Sequence, residues 1–192
     1  YMYWRYFMWN FSGRQNDVQG DGGITSGNWI TGIPFIDEYV LGLGPQDNIA
    51  PDIVNNKGHN EYYMLPLLLG IIGILYQLRL KRKGNKSFAI VFLFFFMTGL
   101  AIILYLNQTP FEPRERDYAY AGSFYAFSIW VGMGVAGISL FLRQYIKNTS
   151  AAATLATVAS LLVPLQMASQ NWDDHDRSGR TLARDTGMNY LS

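Results

Sequence analysis

Four apolar stretches interrupt an otherwise polar chain: 63–80, 88–106, 121–142 and 151–168. Each approaches the ~20 residues that a helix needs to cross a hydrocarbon core of about 30 Å. The pattern therefore predicts an all-α membrane protein with four transmembrane helices. Pro66 lies near the start of the first, where a helix tolerates it. The third carries Gly132, Gly134 and Gly137, and its Gly134 and Gly137, with Ala126 and Ala136, offer small surfaces for close helix packing. The fourth is rich in Ala and Thr, a composition expected of a helix buried among others.

The polar segments have their own pattern. Residues 1–11 crowd seven aromatic rings around Arg5, which reads as the end of a preceding membrane helix or as a helix lying at the headgroup level. Residues 12–61 form a long connection, broken by Pro34, Pro45 and Pro51, with a short amphipathic helix expected near Trp29–Leu41. Together, residues 1–62 are one extracytoplasmic loop, functional or partly disordered. Gly20-Asp21-Gly22-Gly23 matches no phosphate-binding fingerprint and reads as flexible loop. Residues 81–86 form a compact basic turn, and 169–192 a polar tail with an amphipathic helix around 181–191. The chain opens inside an aromatic run at Tyr1 and stops at Ser192, so a piece of a longer membrane protein is expected, its tail leading to a soluble region.

Charge orients this arrangement. The segments joining the first to the second stretch and the third to the fourth hold Arg79, Lys81, Arg82, Lys83, Lys86, Arg143 and Lys147 and no acidic residue. The other side holds the remaining eight basic and all fourteen acidic residues. Basic residues in short loops mark the cytoplasmic face. Loops 81–87 and 143–150 are thus expected in the cytoplasm, and the remaining loops in the periplasm of a bacterial inner membrane. The net charge of +1 and the 15% of charged residues hide this division. No cysteine is present, which excludes disulfides and thiolate metal sites, and nothing points to nucleic acid.

Three polar clusters then share the outer face. The first is Arg5, Arg14 and Asp17. The second is residues 107–118, where Pro110 and Pro113 keep the chain extended and Glu112, Arg114, Glu115, Arg116 and Asp117 supply five charges in six residues. The third is Asn171-Trp172-Asp173-Asp174-His175-Asp176-Arg177-Ser178-Gly179-Arg180, residues 171–180. Paired arginines suit a phosphate or diphosphate, and interleaved carboxylates orient them or act as bases; the plainer alternative is a solvated turn. The third cluster has ligand types for a divalent cation, but adjacent residues seldom all face one ion. Capping of the next helix by Asp176 or Ser178 is the competing reading. No Ser/His/Asp triad, HExxH or CxxC is present, and His59 reads as an ordinary loop residue. Asn10, Asn107 and Asn148 begin glycosylation triplets. The first two lie too near the membrane and the third on the cytoplasmic side.

The stretches YMYWRYFMWNFSGRQND, YLNQTPFEPRERDYAYAGSFYAFSIW and NWDDHDRSGRTLARD together resemble a bacterial family of multi-pass membrane proteins, formerly of unknown function. That family is related to the eukaryotic transmembrane protein O-mannosyltransferase, within the type-C glycosyltransferase superfamily. The resemblance runs from Tyr1 to about Asp185. It implies a membrane enzyme taking a sugar from a polyprenyl-phosphate donor to a protein or glycan acceptor. It also implies that the catalytic carboxylate belongs to an outer loop near the full protein's start, outside this stretch. Arg5, Arg14, Asp17, Glu112, Arg114, Arg116, Asp117, Asp174, His175 and Arg177 would then contact donor phosphate or acceptor or support such contacts, with a divalent cation as a further means of offsetting phosphate charge. A transporter or lipid flippase is the rival class, although the apolar stretches lack the internal charges such proteins use; a non-catalytic membrane module is another.

Overall fold

In the computed structural model, which describes residues 2–18, 23–46, 50–107, 117–175, 179 and 181–191, long helices alternate in direction and the polar segments gather at one end. The order is α1 (Met2–Phe11), β1 (Gly13–Arg14), a π-helical turn at Ile36–Val40, α2 (Pro51–Val54), β2 (Asn60–Glu61), α3 (Leu65–Arg79), α4 (Lys81–Thr98), α5 (Leu100–Leu106), a 3-10 turn (Asp117–Tyr120), α6 (Ala121–Leu142), α7 (Thr149–His175) and α8 (Leu182–Leu191). Among the described residues, three stretches are long and apolar enough to cross a membrane: Gly84–Leu106, Tyr118–Leu142 and Thr149–Trp172. The first expected span is shorter than the rest. α3 has 15 residues, or about 22 Å of rise.

α3 and α6 form the central seam, and glycines on both helices make it close. A Cβ at Gly73 would fall on the Trp130 carbonyl oxygen, and one at Gly134 on the Leu69 carbonyl oxygen. One at Gly70 would enter the Phe127 ring, and one at Gly137 would lie 2.8 Å from Ile72 Cγ2. With so little side chain between them, the backbones touch, and van der Waals packing replaces the hydrophobic drive that lipid does not supply. Inside this seam Trp130 Nε1 donates to Gln77 Oε1 at 2.8 Å, so both buried polar groups are satisfied.

Several expected boundaries move. The basic turn is the first part of a helix: only Leu80 separates α3 from α4, which starts at the left-handed Lys81 (φ 54°). The second stretch breaks at Gly99 (φ −119°, ψ −92°). A Cβ there would lie 2.7 Å from Tyr3 Oη and 2.9 Å from Ser123 Cβ, so the break admits α1 and α6. The third stretch is α6, with the expected bounds. The fourth extends seven residues past Ala168, to His175. Asn148 caps its start, Oδ1 accepting from the amides of Ser150 (3.0 Å) and Ala151 (3.2 Å).

α7 is not enclosed among the described helices as its weak hydropathy suggested. Ala152, Ala156, Ser160 and Val163 are buried on one stripe, while Leu155, Val158, Leu161, Leu162 and Leu165 stay exposed. The small residues mark its packing face towards α6, not general burial. α1 also differs from a helix resting among headgroups. Tyr3, Tyr6, Phe7, Met8 and Phe11 are buried by protein, in one cluster with Leu67, Tyr120, Phe127 and Trp130. Phe7 meets Phe127 edge-on at 4.9 Å, and Phe11 meets it at 4.5 Å.

Candidate functional site: a polar platform over the helix ends

The long connection is built, not slack. β1 pairs antiparallel with β2, Gly13 opposite Glu61 and Arg14 opposite Asn60, and Arg14 also bridges to Trp29. Side-chain amides close the loops around this ladder. Gln15 Oε1 accepts from Asn28 Nδ2 (3.1 Å), and Asn16 Oδ1 accepts from the Gly27 amide (2.8 Å). Gly27 (φ 61°) has no room for a Cβ against the Val18 carbonyl. The buried Asp37 carboxylate accepts from the Thr31 amide (2.8 Å), the Thr31 hydroxyl (2.8 Å) and the Gly32 amide (2.9 Å). It holds the turn that leads into Ile36–Val40, which is where the expected amphipathic helix narrows to. Gly23 lies in the described part of the connection; residues 20–22, also read as flexible loop, lie outside the described residues.

Arg5 and Arg14 converge on Trp9. Arg5 is 3% exposed; its Cζ sits 5.2 Å from the Trp9 ring and 5.1 Å from the Tyr6 ring, and its Nη2 donates to Tyr6 Oη at 3.3 Å. Arg14 Cζ lies 5.5 Å from the Trp9 ring, and its Nε donates to the Gly58 carbonyl at 2.6 Å. The α1 helix presents Arg5 and Trp9 on one face, four residues apart, and the turn at Ser12–Gly13 brings Arg14 back to the same ring. Asp17 Oδ1 accepts from Asn56 Nδ2 at 2.7 Å, and Asp17 Cβ would stand 3.0 Å from a Cβ on Gly58. Arg14 and Asp17 thus flank one glycine. The first cluster is therefore a real assembly, with a planar cation fixed on an aromatic face.

α7 meets it through Asn171, where the third cluster begins, and through Gln166 and Gln170 just before it. Asn171 Nδ2 donates to Tyr62 Oη, Asn60 Nδ2 donates to Asn171 Oδ1 (3.4 Å), Gln170 Oε1 accepts from the Glu61 amide (3.4 Å), and Gln166 Nε2 donates to the Glu61 carbonyl (3.2 Å). Asp174 and His175 follow within the last turn of the same helix, in place of the expected polar tail. Arg177, and the proposed caps Asp176 and Ser178, lie outside the described residues. α8 is instead preceded by Thr181, whose Oγ1 donates to Asp185 Oδ2 at 2.6 Å.

Of the second cluster, Glu112, Arg114 and Arg116 lie outside the described residues, and Asp117 opens the 3-10 turn. That turn ends on the fully buried Tyr120, whose ring meets Tyr3 (5.5 Å) and Tyr6 (6.4 Å) of α1. The chain enters α6 beside the helix that carries Arg5. Among the described residues no three His, Asp or Glu side chains gather closely enough to hold a metal ion.

His59, read as an ordinary loop residue, belongs to this platform. Its Nδ1 faces the Gln15 carbonyl at 2.9 Å, and Nε2 is 3.4 Å from Glu61 Oε1. The hydrogen bond to Glu61, helped by the Gln15 carbonyl, raises the His59 pKa against the opposing effect of burial. The bond to His59 lowers that of Glu61. The raised histidine stabilises the fold below its ordinary 6.5 and loses that contribution as pH rises through its folded value. The lowered carboxylate stabilises above its ordinary 4.5 and loses its contribution as pH falls. The pair is strongest between those two values. Thermal unfolding should therefore show a higher midpoint at pH 5.5 than at pH 8.5, the partly exposed pair contributing under about 1 kcal/mol of stability. His59→Gln should remove that difference; an unchanged pH profile in the variant would dismiss the pair.

Comparison of the chain with protein-family models, with curated proteins and with solved structures finds no match.

Proposed function

We propose that this chain is the later part of a polytopic membrane glycosyltransferase that takes a sugar from a polyprenyl-phosphate donor and passes it to a protein or glycan acceptor. The observation that carries the reading is the meeting of Arg5 and Arg14 on Trp9, in the polar platform to which Gln166, Gln170 and Asn171 of α7 bond. A donor of this class lies with its chain in the bilayer and its phosphate at the surface, so its recognition needs cations held at a helix-end platform. Guanidinium groups fixed on an aromatic ring pay little ordering entropy on binding phosphate. Asp17 and Asn56 beside Arg14 are suited to sugar hydroxyls. The charge asymmetry supports a cytoplasmic basic end and a periplasmic platform, with α3 acting as a fourth crossing. Arg114 and Arg116 join the phosphate site by sequence, and the sugar-transfer base comes from elsewhere in the full protein.

The test is transfer of a radiolabelled sugar from a polyprenyl-phosphate donor to acceptor by the full-length protein in liposomes. Transfer above protein-free liposomes is expected. Its absence, with lipid scrambling or solute flux in its place, would overturn the reading in favour of a transporter.

A further inference from the structure

The opposite end of the bundle carries a second feature. A groove of about 160 Å³ runs between α3 and α6. Ile72, Leu75, Leu140 and Phe141 wall it, Gly137 lies between the helices along it, and Arg79 and Gln144 stand at its polar end beside Tyr76. Leu75 and Phe141 are largely exposed. The glycine is what keeps the groove shallow and narrow: a Cβ on Gly137 would press on Ile72 and on Tyr76, 3.2 Å from Tyr76 Cβ.

We propose that this groove binds one anionic phospholipid, with an acyl chain along Ile72, Leu75 and Leu140 and the phosphate at Arg79 and Gln144. Charge selects that occupant. No acidic residue occurs between Glu61 and Glu112 or between Asp117 and Asp173, so neither helix of the groove carries one. Seven basic residues cluster at this end, Arg79 among them. An apolar slot ending in a guanidinium and a carboxamide, in a field of one sign, matches an acyl chain ending in a negatively charged headgroup. Basic pockets between membrane helices recognise headgroups in this way. The inference rests on the bundle lying in a bilayer and is independent of sugar transfer.

The probe is phosphatidylglycerol, set against phosphatidylethanolamine with the same acyl chains. Each is added to delipidated full-length protein in mild detergent, and retained lipid is counted by native mass spectrometry. Wild type should retain phosphatidylglycerol preferentially. Arg79→Gln should cut that preference about fivefold, as expected for one basic residue at a membrane surface, while Lys147→Gln leaves it within twofold. Equal retention of the two lipids, or equal losses in both variants, would overturn the proposal. A photoreactive benzophenone side chain at position 140 in cell membranes should capture a phospholipid mass. Capture of polypeptide there would also overturn it, by showing the groove covered by protein.

Discussion

Gly73→Leu should prevent α3 and α6 from packing together, and even Gly73→Ala should lower the unfolding midpoint sharply. A Cβ at this position falls on the Trp130 carbonyl oxygen and comes within 2.9 Å of the Gly134 amide nitrogen. Both obstacles are backbone, so no rotamer change relieves them. α3 would have to move off α6, breaking the Gln77–Trp130 hydrogen bond and opening the close contacts at Gly70, Gly134 and Gly137. The expected loss is about 3 kcal/mol or more, the upper end for overpacking. Gly132 provides the control. It lies on α6, but a Cβ there meets nothing within 4 Å. Gly132→Ala should be neutral or stabilising by up to about 1 kcal/mol, through helix propensity alone. Denaturant titration of both variants in micelles distinguishes them. Similar midpoints for Gly73→Ala and Gly132→Ala would refute the account of the seam.

If the proposed sugar transfer is this protein's activity, Arg14→Ala should lower it in the full-length protein by about a hundredfold, the scale seen when one preorganised electrostatic donor is removed from charge developing in a reaction. Arg14→Lys should recover little. It keeps the charge but loses the planar group lying over Trp9 and the Nε donated to Gly58. Arg14 also ties β1 to the 58–60 turn, so the unfolding midpoint must be read alongside. A fall in midpoint without loss of transfer would make Arg14 a loop staple. Loss of transfer with a midpoint near wild type in Arg14→Lys would support its place at the donor phosphate.

The sequence patterns that survived unchanged are those written over long runs. Ala121–Leu142 is an unbroken apolar block, and α6 keeps those bounds. What failed depended on partners distant in sequence. The aromatic run at residues 1–11 looks the same whether lipid or protein covers it; only Phe95, Phe124 and Phe127, more than eighty residues away, decide for protein. The Gly99 break was hidden because glycine is common in membrane helices, and its cause is the approach of Tyr3 and Ser123. The sequence hides the full length of α7 because its final turns are polar, although Gln166 and Gln170 stand four apart, as residues on one helix face do. That spacing was visible in the sequence. So was the alternation of His59 and Glu61, which puts both on one side of an extended strand. The main-chain carbonyl of Gln15 that completes the histidine's environment was not, since any residue type supplies one.

The platform and the basic end should face opposite sides of a membrane. The absence of native cysteine allows that to be measured with single cysteines and a membrane-impermeant maleimide in intact spheroplasts. Val18→Cys, Tyr118→Cys and Gly179→Cys, all at exposed positions, should label from outside. Asn85→Cys and Lys147→Cys, exposed at the basic end, should label only after the membrane is opened. Labelling of positions 85 or 147 in intact spheroplasts, or protection of 18, 118 and 179, would show that the two ends do not lie on opposite sides.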